Sequence, residues 1–66
     1  MQVWINGEER VLAKGTTIAA LLAALNLPMD GVAVALNLDV VPRGQHADRV
    51  IAAGDRVEII RAVGGG

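Results

Sequence analysis

The sequence contains no cysteine, tyrosine or phenylalanine, and it has a single tryptophan and a single histidine. Without cysteine, the chain has no disulfide framework, no thiolate metal ligands and no thiol nucleophile. The net charge is −1 and the basic residues are scattered. Because nucleic-acid binding needs a basic stripe or aromatic rings that stack on bases, nucleic acid is a poor candidate partner.

Long apolar runs are also missing. The longest one, residues 18–25, is far too short to span a bilayer. The opening MQVWINGEER has neither the basic region nor the apolar region of a signal peptide. We therefore expect a soluble, cytoplasmic protein without a membrane partner.

The chain length bounds the size of the core. Sixty-six residues form one domain, which buries only roughly 60% of the surface that its unfolded chain exposes. The apolar fraction of 53% indicates a globular chain rather than a disordered one. An enclosed pocket would use up most of so small a core, so we expect no bound cofactor and no buried active site.

The N-terminal part predicts a hairpin. Residues 1–5 alternate in the period-2 pattern of a half-buried strand. Asn6-Gly7 follows, and both residues tolerate the positive φ angles of a tight hairpin turn. We predict the returning strand at residues 10–13.

The segment TTIAALLAAL predicts one helix. Thr16 or Thr17 can cap it by accepting a hydrogen bond from a free N–H of the first turn. Pro28 cannot continue the helix, which should stop near Asn26. One apolar stripe follows the helical spacing: Ile18, Leu21, Leu22 and Leu25.

The second half predicts three more strands. Residues 32–37 are apolar on both sides, a short strand follows at residues 40–41, and RVEII at residues 56–60 is the last strand. One helical turn is predicted near residues 45–49. The fold class is therefore α+β, with one helix packed across a mixed sheet of four or five strands. Periodicity leaves the strand order open.

The polar side chains show no pattern of a catalytic site. His46 lies in a polar loop without a nucleophile or metal-ligand spacing nearby, so we interpret it as a solvated loop histidine. Turns and strands separate the acidic residues, which form no metal-binding loop: Glu8, Glu9, Asp48, Asp55 and Glu58. We expect neither a metal site nor catalytic side chains, and hence a protein that is not an enzyme.

Two features remain unexplained by this reasoning. Trp4 and Ile60 lie on the face of their strands opposite the inward residues. They are either scattered surface residues or, together with Val63, a sheet face that docks a partner. The other feature is the glycine-rich segment 62–66, which follows the predicted domain of residues 1–61.

Segment 62–66 has two interpretations. It is a frayed end or an expression remnant, or it is a flexible arm that reaches at most ~17 Å at ~3.4 Å per residue. Glycine lacks a Cβ atom and is tolerated wherever backbone must approach closely. Gly64 and Gly65 could therefore thread into a narrow partner site and present the carboxylate of Gly66.

Five stretches carry a family resemblance: MQVWINGEE, GTTIAALLAAL, VALNLDVVPR, GDRVEII and the terminal Gly65-Gly66. Together they resemble the ThiS family, small sulfur carriers of thiamin thiazole synthesis with a ubiquitin-like β-grasp fold. The resemblance implies that the first and last strands lie side by side and parallel, with the helix across one face.

The resemblance also implies a mechanism. A ubiquitin-activating-like adenylyltransferase (ThiF-like) would use ATP to adenylate the carboxylate of Gly66. A sulfur donor enzyme would convert the adenylate to a thiocarboxylate, and a thiazole synthase (ThiG-like) would take the sulfur. Gly65 would be the other half of the diglycine and Gly64 would lengthen the arm. ATP would be consumed by the activating partner.

Three alternatives stay open on sequence grounds. The related sulfur carrier of molybdopterin synthesis has the same fold and terminal chemistry but a different acceptor. A non-covalent β-grasp interaction module would leave the glycines passive. A ubiquitin-type protein modifier would use the same terminus on another target.

Overall fold

The computed structural model describes residues 1–28 and 31–61. Within these ranges the chain forms one α-helix and five strands. In chain order the elements are β1 (Gln2–Ile5), β2 (Glu8–Val11), α1 (Ile18–Ala24), β3 (Val32–Leu36), β4 (Asp39–Val41), a 3-10 turn (Arg43–Gln45) and β5 (Arg56–Arg61). The predicted α+β class is confirmed.

The five strands form one mixed sheet in the order β2-β1-β5-β3-β4. The first and last strands, β1 and β5, are parallel neighbours, and the other neighbouring pairs are antiparallel. Parallel neighbours need a long connection, and this one includes α1. The parallel arrangement expected from the family resemblance is thereby confirmed, and β5 lies at the centre of the sheet.

Helix α1 buries its apolar stripe against one face of the sheet. Ile18, Leu21 and Leu22 are at most 2% exposed, and Leu25 packs at the edge of the same core. Most of the other core residues lie on the sheet: Val3, Ile5, Val34, Leu36, Val41, Val57 and Ile59. The predicted helical stripe is confirmed because its spacing matches one helix face.

The ends of α1 follow the predicted signals. Thr17 is the N-cap, and its hydroxyl oxygen accepts a hydrogen bond of 3.1 Å from the backbone N–H of Ala20. The helix ends at Ala24, two residues before the predicted stop, and Asn26 takes a φ of 57°. A residue in this left-handed region ends regular helix geometry, so the stop precedes Pro28.

Strand β2 begins earlier than predicted. Asn6 and Gly7 have φ angles of 52° and 80°, and this two-residue turn places Glu8 directly opposite Ile5. The strand therefore spans Glu8–Val11, and the prediction of residues 10–13 is wrong by two residues at each end. All four residues of β2 are exposed at the sheet edge. Because neither face of this strand is buried, its sequence does not alternate between apolar and polar residues, and the pattern does not mark where the strand begins.

The segment between β4 and β5 covers the N-terminus of the helix. The predicted helical turn is present, since the Arg49 N–H donates to the Gln45 carbonyl at 2.9 Å. The Ile18 N–H donates to the Arg49 carbonyl at 3.0 Å and the Ala19 N–H to the His46 carbonyl at 2.9 Å. These bonds satisfy helix donors that would otherwise lack partners.

The prediction that His46 is a solvated loop residue is wrong. Its side chain is 1% exposed, and its Nε2 atom lies 3.0 Å from the carbonyl oxygen of Val41. The polar neighbours in sequence, Gln45 and Asp48, are exposed. A helical turn directs successive side chains to different sides, so polar neighbours say little about the burial of one residue within it.

Candidate functional site

Strand β5 leads directly into the glycine-rich segment. Val57 and Ile59 face the core, whereas Ile60 and Arg61 are exposed. The predicted tail of residues 62–66 lies outside the described residues, including Val63, Gly64, Gly65 and Gly66. The roles assigned to these four residues therefore stay predictions, and the described site is the base from which the segment continues.

The two sides of β5 are supported differently. Strand β3 pairs with β5 along its length, from Leu36 opposite Val57 to Val32 opposite Arg61. Strand β1 pairs with β5 only at its beginning, where Trp4 lies opposite Arg56 and Ile5 opposite Val57. Regular backbone pairing on the β1 side thus stops well before β5 ends.

The side chain of Asn6 continues the support on that side. The Asn6 N–H donates to the carbonyl of Val57 at 2.8 Å, and the Asn6 Oδ1 accepts from the N–H of Ile59 at 2.8 Å. One turn residue thereby makes a backbone bond and a side-chain bond to β5. Sequence analysis identified Asn6 only as a turn residue.

Asn37 makes a similar connection at the beginning of β5. Its N–H donates to the carbonyl of Arg56 at 2.8 Å, and its Oδ1 accepts from the N–H of Arg56 at 2.9 Å. Its Nδ2 also donates to the Asp55 carboxylate at 2.9 Å. The sequence signal for this role was an asparagine in a predicted turn, because the asparagine side chain can bond to backbone groups and the residue tolerates positive φ.

Trp4 and Ile60 lie on the same face of the sheet, as predicted, but at different places. Trp4 is half-buried opposite Arg56, whereas Ile60 is 63% exposed opposite Ala33. Four residues of strand separate their levels, about 13 Å at the usual rise. A partner that contacts both must therefore span the helix-free face.

Ile60 belongs to an apolar area on this face. Ala33 is exposed opposite Ile60, and Val40 is 75% exposed opposite Ala35. Trp4 instead lines a shallow groove with Gly7, Arg56, Val57 and Glu58. The predicted docking role of Trp4 and Ile60 remains a prediction.

The charged groups of the described residues form no reactive cluster. Across residues 1–28 and 31–61, no three His, Asp or Glu side chains are grouped so that they could hold a metal ion. Arg10 and Glu8 lie 3.8 Å apart, both well exposed, and such a pair contributes little to stability. The described part of the chain also has no helix with the length and apolarity needed to cross a membrane.

Comparison with known proteins points to one family. The ThiS family model matches residues 3–66. The chain is 33% identical to the sulfur carrier protein ThiS of Escherichia coli over 66 residues, which covers the whole of both chains. It is 38% identical to the sulfur carrier protein ThiS of Thermus thermophilus over 64 residues, covering 97% of this chain and 98% of that one.

A longer relative and a solved structure add to this comparison. The chain is 41% identical over 66 residues to a thiazole synthase of Paramagnetospirillum magneticum, and it spans only 20% of that protein's length. The crystal structure of the thiamine biosynthesis protein ThiS from Geobacter metallireducens superposes with a TM-score of 0.85 at 30% identity, covering all of both chains.

Proposed function

Because the chain belongs to the ThiS family, we propose that it carries sulfur for synthesis of the thiamin thiazole as a thiocarboxylate on Gly66. The family match over residues 3–66 carries this proposal, since it includes the glycine-rich segment as well as the fold. The chain would be a carrier on which partner enzymes act, rather than an enzyme. A carrier needs no catalytic side chains of its own.

The proposed chemistry begins with activation of the α-carboxyl group. Such a group has an ordinary pKa of about 3.5, so at neutral pH it is ionised and resists nucleophiles. A carboxylate oxygen of Gly66 would attack the α-phosphorus of ATP and release pyrophosphate. A sulfur nucleophile would then attack the acyl carbon of the adenylate and displace AMP.

The partners of the proposed reaction follow from these steps. A ThiF-like adenylyltransferase would bind ATP and Gly66, a sulfur donor enzyme would supply the sulfur, and a ThiG-like thiazole synthase would accept it. The match to a segment of two proteins named thiazole synthase supports the last partner. The proposal locates the reaction in the cytoplasm, where ATP is available to the activating enzyme.

The described residues support different roles for strand β5 and for the glycines that follow it. Strand β5 lies at the centre of the sheet, paired with β3 along its length and with β1 at its beginning, and Asn6 and Asn37 are bonded to it. A strand that is fixed in the sheet is a suitable support for the segment that follows it and that would be chemically modified. Gly64 and Gly65 would enter the narrow partner site, because only glycine combines close backbone approach with an absent side chain.

Intact mass spectrometry tests the proposal. The chain is incubated with ATP, a ThiF-like enzyme and a sulfur source, and we expect a mass increase equal to the exchange of one oxygen for one sulfur. Fragmentation should place the change on Gly66. The matched control is the chain without Gly65 and Gly66, because removal of Gly66 alone leaves Gly64-Gly65 as a diglycine terminus. This control should gain no sulfur and support no thiazole formation.

Two results would contradict the proposal. One is an intact chain that stays unmodified under these conditions, and the other is unimpaired sulfur transfer after removal of Gly65 and Gly66. An interaction module would bind its partner equally well with and without Gly65 and Gly66. Growth of a deletion strain without thiamin, compared with its molybdoenzyme activity, separates the thiazole carrier from the molybdopterin carrier.

A further inference from the structure

Asn6 lies where the sheet loses its regular pairing next to the last strand. Strand β1 ends at Ile5, and its pairing with β5 ends at Ile5 opposite Val57. The chain then turns away through Asn6 and Gly7 into β2. Strand β5 continues to Arg61, so its last residues extend beyond the backbone of β1.

The side chain of Asn6 supplies the acceptor that β1 no longer provides. The N–H of Ile59 donates to Oδ1 of Asn6 at 2.8 Å, in a partly buried position. Ile59 as a whole residue, backbone included, is 9% exposed, so its N–H has little access to water. An amide left without an acceptor in such a place costs free energy, which makes the bond hard to replace by solvent.

We propose that Asn6 is a positioning residue for sulfur transfer, because its side chain fixes the end of β5 from which residues 62–66 continue. This inference rests on the proposed carrier function. Fifty-three positions separate Asn6 from Ile59 in the chain, so the bond ties the first hairpin to the last strand. The strand end is thereby held in one orientation before a partner engages the terminus, which lowers the ordering cost of binding.

Asparagine meets two requirements at this position. Its φ of 52° lies in the left-handed region, which asparagine, aspartate and glycine tolerate best. Its side chain also reaches the Ile59 amide with an acceptor oxygen. Glycine meets only the first requirement, whereas aspartate meets both, so the N6G and N6D variants separate turn geometry from hydrogen bonding.

Asn37 offers a matched control within the same strand. It has a φ of 51°, and its Oδ1 also accepts from a β5 amide, that of Arg56 at 2.9 Å. This bond lies at the beginning of β5, at the end opposite to Arg61. The N37G variant therefore removes the same type of bond, together with a bond to Asp55, without releasing the end of the strand.

The experiment measures the rate of sulfur loading against carrier concentration for wild type, N6G, N6D and N37G, with a ThiF-like enzyme, ATP and a sulfur source. For N6G we expect kcat/KM to fall about fivefold to tenfold, the factor of one lost hydrogen bond, mainly through a higher KM. N6D and N37G should stay within about twofold of wild type. Hydrogen exchange should show faster exchange of the Ile59 amide in N6G only.

Several results would overturn the inference. They are a wild-type kcat/KM in N6G, an equal loss in N37G, or unchanged exchange at Ile59 in N6G. If N6G does not fold, N6D decides, because a tenfold loss there would exclude Oδ1 as the operative atom. A wild-type chain that gains no sulfur refutes the carrier proposal and this inference together, whereas a loaded wild type with an equally efficient N6G refutes the inference alone.

Discussion

The Nε2 atom of His46 donates a hydrogen bond to the carbonyl oxygen of Val41 across 3.0 Å, within the core. A carbonyl oxygen can only accept, so Nε2 carries the proton of this hydrogen bond. Among the described residues, Nδ1 of the same ring has no hydrogen-bond partner. The ring thus acts as a core side chain that also ties the 3-10 turn to β4.

Replacing His46 should therefore weaken the fold. We expect H46A to lower the free energy of unfolding by about 2–4 kcal/mol, because it leaves a cavity and removes the bond to Val41. Urea denaturation monitored by circular dichroism measures the change. Gln45 is the matched control, since it is exposed in the same turn, and Q45A should stay within about 0.5 kcal/mol of wild type. Equal stabilities of H46A and Q45A would contradict the buried role.

The two threonines before α1 should differ in their contributions. The Thr17 hydroxyl accepts from the Ala20 N–H, whereas the Thr16 hydroxyl donates to the carbonyl of Ala13 at 2.6 Å in an exposed position. We expect T17A to cost about 1 kcal/mol of unfolding free energy, because it removes the helix cap. T16A should cost clearly less. A larger loss for T16A in the same urea titration would assign the cap to the other residue.

Replacing the turn glycine of the first hairpin, Gly7, should destabilise the fold because of its backbone conformation alone. Gly7 has a φ of 80°, and a Cβ atom built there meets no atom within 4 Å. We expect G7A to destabilise the fold by about 1–2 kcal/mol, the cost of a left-handed alanine.

Gly44 provides the contrast to Gly7. It lies in the 3-10 turn, also has open space around a built Cβ, and does not have the left-handed φ of Gly7. G44A should leave stability unchanged or raise it by about 0.4–1 kcal/mol, because alanine restricts the unfolded chain. Thermal and urea unfolding of both variants compare the two costs directly. Because a Cβ atom has open space at both positions, similar destabilisation by G7A and G44A would contradict the assignment of the G7A cost to the backbone angle of Gly7.

The helix-free face should matter for loading if it docks a partner. We expect I60D to lower kcat/KM for sulfur loading about tenfold, because it places a charge in an exposed apolar area. V50D is the control, because Val50 is also exposed, at 53%, but lies outside β5, in the segment that forms an isolated β-bridge with Thr17. Both variants should keep their far-ultraviolet spectra. Equal loading by I60D and wild type would exclude Ile60 from the docking face.

Much of the local structure followed from the sequence. The Asn6-Gly7 turn, the cap and stripe of α1 and the strand before the glycines depend on residues close together in the chain, and their patterns are read without knowledge of the fold. Helix spacing and turn chemistry are local properties, which is why these predictions agree with the structure. The family resemblance added the parallel neighbours β1 and β5, which periodicity had left open.

The tertiary structure decided where distant residues meet. The burial of His46 depends on how its turn packs against the N-terminus of α1 and against β4. The bonds of Asn6 to Ile59 and of Asn37 to Arg56 cross 53 and 19 positions. No local pattern encodes such contacts, because the acceptor and donor become neighbours only after β5 enters the sheet. The sequence by itself therefore determined the elements and the proposed reactive glycine, and only the tertiary structure decided which side chains hold the strand that leads to it.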